Sequence, residues 1–168
     1  MGGVGDIVML GCLQQPWKSL DAITAAGSAP GVAARDAATL EAAAGVELIT
    51  PDWRTRWLHL RGSQVADGDD FVAELLAMWG VDDYYTRIAT ITCKAGKQDR
   101  GTGAHFWDTI TVSNAMWPDY ANKLFAIDGA GGDRIAQLWI DTLEAKRIAV
   151  VPTTVDSQAL IEYREMTG

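Results

Sequence analysis

The spacing of apolar positions divides the chain into an alanine-rich first third, which reads as helical, and a longer remainder in which short alternating runs are separated by Gly, Pro and Asp. Ser19 is placed to cap a short helix through Ala26, ended by Gly27 and the Pro30-Gly31 turn. The stretch VAARDAATLEAAA, from Val32 to Ala44, is almost all strong helix formers, with Gly45 where a left-handed C-terminal residue belongs. Its apolar face is thin, mostly Ala with Val32 and Leu40, which suits close packing or contact with another chain.

Beyond Gly45 the period changes. VELI and RTRWLHLR alternate polar and apolar residues on either side of Pro51, predicting two short strands or one bent strand. Asp69 or Asp70 then opens FVAELLAMW, where Phe71, Val72, Leu75, Leu76 and Trp79 fall on one side of an amphipathic helix stopped by Gly80. DYYTRIATITCK is rich in Thr, Ile and Tyr and predicts a strand from Tyr85 to Lys94. HFWDTITVSN predicts a second, so that 85–94 and 105–114 form a hairpin whose connection, KAGKQDRGTG, is far longer than the usual two to five residues or so.

Pro118 starts a short helix through Phe125, with LFAID as an alternative strand. After GAGGD, the run RIAQLWIDTLEAK places Ile135, Leu138, Trp139, Thr142 and Leu143 at helical spacing, with Asp133 as its cap. RIAVV reads as a buried strand ended by Pro152, and ALIEYREM as either strand or helix. The expected fold class is therefore α+β: Ala-rich N-terminal helices, then a mostly antiparallel sheet containing the long-loop hairpin, with two or three helices packed on it. There is no internal repeat and no linker, so residues 1–168 are expected to form a single domain, with 1–18 as an extended arm.

Composition narrows the function classes. With 168 residues, 48% of them hydrophobic and 21% charged, the chain can bury a core without disulfides or metals. A net charge of -8 argues against a general nucleic-acid binder, which needs dense positive charge to displace counterions. The longest apolar run, Ile7 to Leu10, is far short of the roughly 20 residues of a membrane span. That run precedes Cys12 without a basic residue before it, so a lipoprotein signal is not expected; Asp6 likewise departs from the myristoylation pattern at Gly2. Cys12 and Cys93 are the only cysteines. A reduced compartment is expected, with a Cys12–Cys93 disulfide as the minor alternative.

Motifs with chemical content are sparse. GAGGD breaks the dinucleotide fingerprint because Arg134 stands where the third glycine is needed, and Asp133 would repel a phosphate. Cys93, His105 and Asp108 form a constellation with nucleophilic potential if the hairpin brings them together, but a cysteine in a strand is more often apolar filler. His59 shares an alternating face with Trp53, Thr55 and Trp57 and is expected as a partly buried imidazole with a backbone partner; two His in the chain do not make a His-rich metal site. Asp67, Asp69 and Asp70 lack the calcium-loop spacing and read as a turn followed by a helix start. No catalytic, cofactor-binding or metal-ligating residue is assigned, and no cofactor is expected.

The basic residues Arg54, Arg56 and Arg61, interleaved with Trp53 and Trp57, are the types enriched at binding hot spots. Lys94, Lys97 and Arg100 make a second, weaker positive spot. These eight residues are the expected interface, set against the plain alternative of an amphipathic strand with solvated Arg. Trp79 and Trp139 occupy core-facing helical positions, leaving Trp17, Trp53, Trp57, Trp107 and Trp117 as candidates for stacking on a ligand such as a sugar.

The Gly-rich MGGVG, GKQDRGTG and MTG segments need neighbours to order them, and symmetric assemblies exchange arms of this kind. The leading expectation is a non-catalytic structural or assembly subunit acting through protein–protein contacts. It would work as a homo-oligomer or in a larger assembly, with no membrane partner and with nucleic acid disfavoured as one; the specific form is a minor virion component of a tailed phage, such as a tail-completion, connector or decoration protein. The expected localisation is the virion, otherwise the cytoplasm. The alternatives are a small-molecule or carbohydrate-binding module, discriminated by a Trp fluorescence change on adding ligand, and an enzyme using Cys93 and His105.

Overall fold

The computed structural model describes residues 15–20, 31–80, 83–99, 104–129 and 135–167, the side chains of 97–99 excepted. Strand accounts for 57% of these residues and helix for 10%, which makes the protein mainly β and overturns the expected α+β class. Ten strands form one antiparallel sheet bent into a half-barrel. They are β1 (Lys18–Ser19), β2 (Glu47–Ile49), β3 (Thr55–Gln64), β4 (Asp70–Met78), β5 (Thr86–Asp99), β6 (His105–Ser113), β7 (Phe125–Asp128), β8 (Gln137–Asp141), β9 (Arg147–Val155) and β10 (Ala159–Thr167). Their order is β1-β10-β3-β6-β5-β4-β9-β2, with β8 pairing β3 and β7 off this path.

The sheet forks at β3. Its first half, Trp57 to Leu60, pairs with Asp141 to Leu138 of β8, whereas Ser63 and Gln64 pair with Phe106 and His105 of β6. The β7–β8 hairpin is thus wedged in beside β6. Inside the bend lies the main core, which includes Leu58, Leu60, Phe71, Leu75, Ile91, Trp107, Leu138, Ile140, Ile148 and Ile161. Trp107 stacks on Phe71 at 5.4 Å and donates its indole N–H to Gln64 Oε1, so the one polar atom of this large buried ring is satisfied.

Several helices expected from spacing are strands. FVAELLAMW is β4, a central strand between β5 and β9. Phe71, Ala73 and Leu75 point into the main core by strand alternation. By the same alternation Leu76 and Met78 lie on the opposite face, in a second cluster with Leu40, Tyr85, Ala149 and Val151, and a bulge shifts the pairing with β5 between Leu75 and Leu76. A strand buried on both faces reads as a continuous apolar run, and in FVAELLAMW that run coincides with helical i, i+4 spacing. RIAQLWIDTLEAK is β8 followed by a turn over Thr142 to Ala145, closed by the Ala145 N–H on the Thr142 carbonyl. Here Leu138 and Ile140 face the core and Trp139 faces out, the period of a strand.

Among the described residues of the alanine-rich third, only Ala37–Ala42 is helical (α1), capped by Asp36, whose carboxylate accepts the Thr39 N–H. Ser19, the expected cap of a helix to Ala26, lies in β1, and residues 21–30 fall outside the described part. The hairpin expected over 85–94 and 105–114 is present as β5 and β6, with β5 running on to Asp99, so the long connection is partly strand. Pro118–Tyr120 forms a 3-10 turn leading into a second short helix, α2 (Ala121–Leu124), and Phe125–Asp128 is a strand, so helix and strand follow one another there. Pro152 does not end β9 but sits within it at a register shift opposite Ala73, where a missing N–H is tolerated. ALIEYREM is a strand. Residues 15–20, whose first four are the described end of the expected 1–18 arm, run along the free edge of β10, where the Leu20 N–H donates to the Ile161 carbonyl and Leu20 itself is buried. Among the described residues, no helix is long and apolar enough to cross a membrane.

Candidate functional site

Alternation along β3 sends Leu58 and Leu60 inward and Trp57, His59, Arg61 and Ser63 to the outer face. Register then sets partners beside them. His59 stands opposite Trp139 on β8 and Arg164 on β10, and Arg61 stands opposite Glu162. Trp17, just before β1, completes a row across four strands: its ring lies under the Arg61 guanidinium at 3.9 Å and the Arg164 guanidinium at 4.5 Å, and against the His59 ring at 4.8 Å. His59 in turn stacks on Trp139 at 4.2 Å and 14°.

His59 is buried beneath this row, at 3% exposure. One ring nitrogen, Nε2, lies 2.6 Å from Gln137 Oε1, and Arg164 Nε donates to the other, Nδ1, at 3.0 Å. The amide oxygen can only accept and the guanidinium can only donate, so the ring is held as the neutral tautomer with its proton on Nε2. Burial, reinforced by the positive charges of Arg164 and Arg61 and opposed by the Gln137 bond, lowers its pKa to about 4. The partner of His59 is thus a side-chain amide from β8, where a backbone group was expected.

The arginines of the expected interface are present at the surface but are neutralised within the chain. Arg54 pairs with Asp52 at 3.1 Å, Arg56 with the buried Asp141 at 3.0 Å, and Arg61 with Glu162 at 3.0 Å. Lys94 is likewise held by Asp70 at 2.7 Å; the Lys97 side chain and Arg100 lie outside the described residues. Trp57 is half-buried beneath Arg56, at 5.4 Å. Trp53 differs from all of these in being 89% exposed, with the Arg54 guanidinium 5.6 Å from its ring.

The turn that carries Trp53 is anchored by Glu165. Its Oε1 accepts the Asp52 N–H at 2.7 Å and the Thr55 hydroxyl at 2.8 Å, while Oε2 lies 3.5 Å from Lys18 Nζ on the arm. One buried carboxylate therefore joins β10, the arm and the Trp53 turn. Beside that turn, Leu143 and Glu144 adopt φ of 56° and 57°, the left-handed pair of a type I′ turn built without Gly, Asn or Asp. Two open hollows of about 460 and 420 Å³ flank the Trp53 ring, lined on one side by Arg56, Asp141 and Glu144 and on the other by Thr50, Pro51 and Lys146.

At the opposite end of β3 the outer face holds a more enclosed pocket of about 370 Å³. Ser63 lies in its floor, 5% exposed, and its hydroxyl has no hydrogen-bond partner among the described residues. Leu20, Phe106, Ala159 and Leu160 line its walls, and the Arg61–Glu162 pair lies at one side.

The nucleophilic constellation is not assembled. Cys93 stands opposite Ile110, fully buried, and burial raises its thiol pKa far above the ordinary value. His105 lies five residues along β6 from Ile110, about 17 Å away at strand spacing, and its Nδ1 is engaged with the Gly96 carbonyl. Trp79 and Trp139 are not on helices. Trp79 follows β4 and donates its indole N–H to the Leu143 carbonyl, and Trp139 stacks on His59. Asp67 and Asp69 lie in the turn after β3 as expected, but Asp70 begins a strand. Among the described residues, no group of three or more His, Cys, Asp or Glu is placed to hold a metal. GAGGD beyond Gly129 lies outside the described residues.

Reading the sequence singled out Trp53, Arg54, Arg56, Trp57 and Arg61 because they are contiguous. It named Trp17 only as a candidate stacking ring, placed Trp139 in the core, and missed Gln137, Glu162, Arg164 and Glu165; these six come from three other segments. The one available signal was the alternation of ALIEYREM, whose outward set is Leu160, Glu162 and Arg164. Comparison with protein-family models, with curated proteins and with solved structures finds no match.

Proposed function

We propose that this chain is a non-catalytic assembly subunit that works through protein–protein contacts, with the Trp53 turn as its contact element. The observation that carries this reading is the exposure of Trp53 on a pinned turn. A large apolar ring left 89% in water gains nothing for the fold, whereas the Glu165 bonds hold it in one place, so little ordering is left to do on binding. Trp at a preordered position is the typical anchor of an interface.

The pairing of Arg54, Arg56 and Arg61 with Asp52, Asp141 and Glu162 refines the expectation. These cations contribute complementarity and stacking rather than free positive charge, and a phosphate backbone would have to displace a carboxylate from each. The narrower expectation of a minor virion component stays part of this proposal and rests on the composition and the Gly-rich segments of the sequence alone.

Hydroxyl-radical footprinting tests the reading. The dilute purified chain and the same chain in its native extract should differ at Trp53, with oxidation there suppressed at least severalfold in the extract while Trp117 and Tyr120 react equally in both. Equal oxidation of Trp53 in both states overturns it. A second reading, sugar binding, is favoured by the two polar hollows beside the Trp53 ring; saturable quenching of Trp fluorescence by oligosaccharides, lost in Trp53→Ala, would support it over a protein contact.

A further inference from the structure

We infer that the partner of Trp53 is the pocket over Ser63 on a second copy of the same chain, giving head-to-tail self-association. This rests on the reading above and names its partner. Knob and hole occupy opposite ends of β3: Thr55, where the Trp53 turn joins the strand, and Ser63 are eight residues apart, about 26 Å at strand spacing. A chain cannot fill its own pocket across that distance with a turn pinned by Glu165. Two copies placed end to end can.

The chemistry of the two surfaces agrees. The pocket, at about 370 Å³, is near the lower limit of small-ligand sites and suits one indole better than a cofactor. Its walls at Leu20, Phe106 and Leu160 are apolar, and Leu160 is 57% exposed at the mouth, an unfavourable arrangement that a covering ring would relieve. The floor offers the hydroxyl of Ser63, buried and without a hydrogen-bond partner among the described residues; an indole brings a single polar group, an N–H donor whose proton this oxygen can accept. The unmet hydroxyl and the unburied ring satisfy each other.

Charge follows the same arrangement. Beside Trp53 lies the exposed pair Asp52–Arg54, and beside the pocket the half-exposed pair Arg61–Glu162. Apposing the two ends lets Arg54 meet Glu162 and Asp52 meet Arg61, so an acidic protein can meet itself here without a net like-charge contact. Because knob and hole are different surfaces, the contact is heterologous, and repeated it yields a closed ring or an open filament rather than a two-fold dimer.

Two exposed substitutions separate the halves: Trp53→Ala removes the knob and keeps the hole, and Leu160→Arg blocks the hole and keeps the knob. Circular dichroism confirms that each folds, and light scattering over a wide concentration range gives the mass. The wild type should grow with concentration, each variant alone should associate at least tenfold more weakly, and a 1:1 mixture of the two should form a species of twice the monomer mass and no larger. A wild type that associates with unchanged affinity in either variant overturns the inference. So does a wild type that stays monomeric at all concentrations; if Trp53 is nevertheless protected in extract, the assembly reading survives with a different protein as partner.

Discussion

Arg164 donates its Nε–H to Nδ1 of His59 at 3.0 Å, placing a guanidinium where the second proton of an imidazolium would have to sit. Protonation of His59 must break that bond and bring a further positive charge against Arg164 and Arg61. This single contact makes the outer face of β8, β3, β10 and β1 sensitive to acid.

The pH dependence follows with a definite sign. His59 titrates near 6.5 in the unfolded chain and at about 4 when folded, so the unfolded state binds the proton more readily. The stabilisation is complete above about pH 6.5 and is lost as pH falls toward 4. Denaturant midpoints measured from pH 7.5 to 4 should decline through this window, and His59→Gln should flatten the decline. A flat wild-type profile would show that His59 is solvated.

Glu165→Ala tests the joint between the arm and the Trp53 turn. It leaves the Asp52 N–H and the Thr55 hydroxyl without their acceptor and Lys18 without its carboxylate, a loss of about 1–3 kcal/mol for the buried groups. Urea unfolding should show this loss, and hydrogen exchange at the Asp52 and Thr55 amides should quicken more than at Leu58.

Gly62 lies against Trp107. A Cβ at position 62 would come within 2.5 Å of the ring, and the ring cannot move freely because it is buried, stacked on Phe71 and bonded to Gln64. Gly62→Ala should therefore destabilise by about 1–3 kcal/mol, as overpacked cores do, with a change in near-ultraviolet circular dichroism from the displaced indole. Unchanged stability would mean that β3 can move away from β6 at the fork.

Glu144 holds a left-handed φ of 57° while largely exposed. Glycine takes that conformation without the Cβ penalty of roughly 1–2 kcal/mol, partly offset by its greater freedom when unfolded. Glu144→Gly should raise stability by about 0.5–1 kcal/mol, measured as a shift in the denaturant midpoint at constant slope. A loss of stability would place an important contact on the Glu144 side chain.

Much of the sheet was legible in the chain's pattern. The Thr and Ile alternation of β5 and β6, the alternation of RTRWLHLR, and the turn residues around them specify strands locally, because one face of each meets the core and the other meets water or half-buried neighbours. ALIEYREM was ambiguous, since eight residues satisfy both periods tolerably. In β4 and β8 the local signal was misleading: FVAELLAMW and RIAQLWIDTLEAK carry good helix formers at helical spacing. Neither is helical, because each is flanked on both sides by strands that offer backbone hydrogen bonds and close the core.

The sequence by itself determined the alternating strands that carry their own period, the acidic balance, and the identity of the Trp and Arg residues around β3. Only the tertiary structure decided that β4 and β8 are strands and that Trp17, His59, Trp139 and Arg164 form one row. It alone placed the exposed Trp53 turn and the pocket containing Ser63 at opposite ends of one strand. The physical reason is that a helix satisfies its backbone within one segment, whereas a strand depends on partners remote in sequence. Which residues meet across a sheet is therefore a property of register and fork, which no single segment encodes.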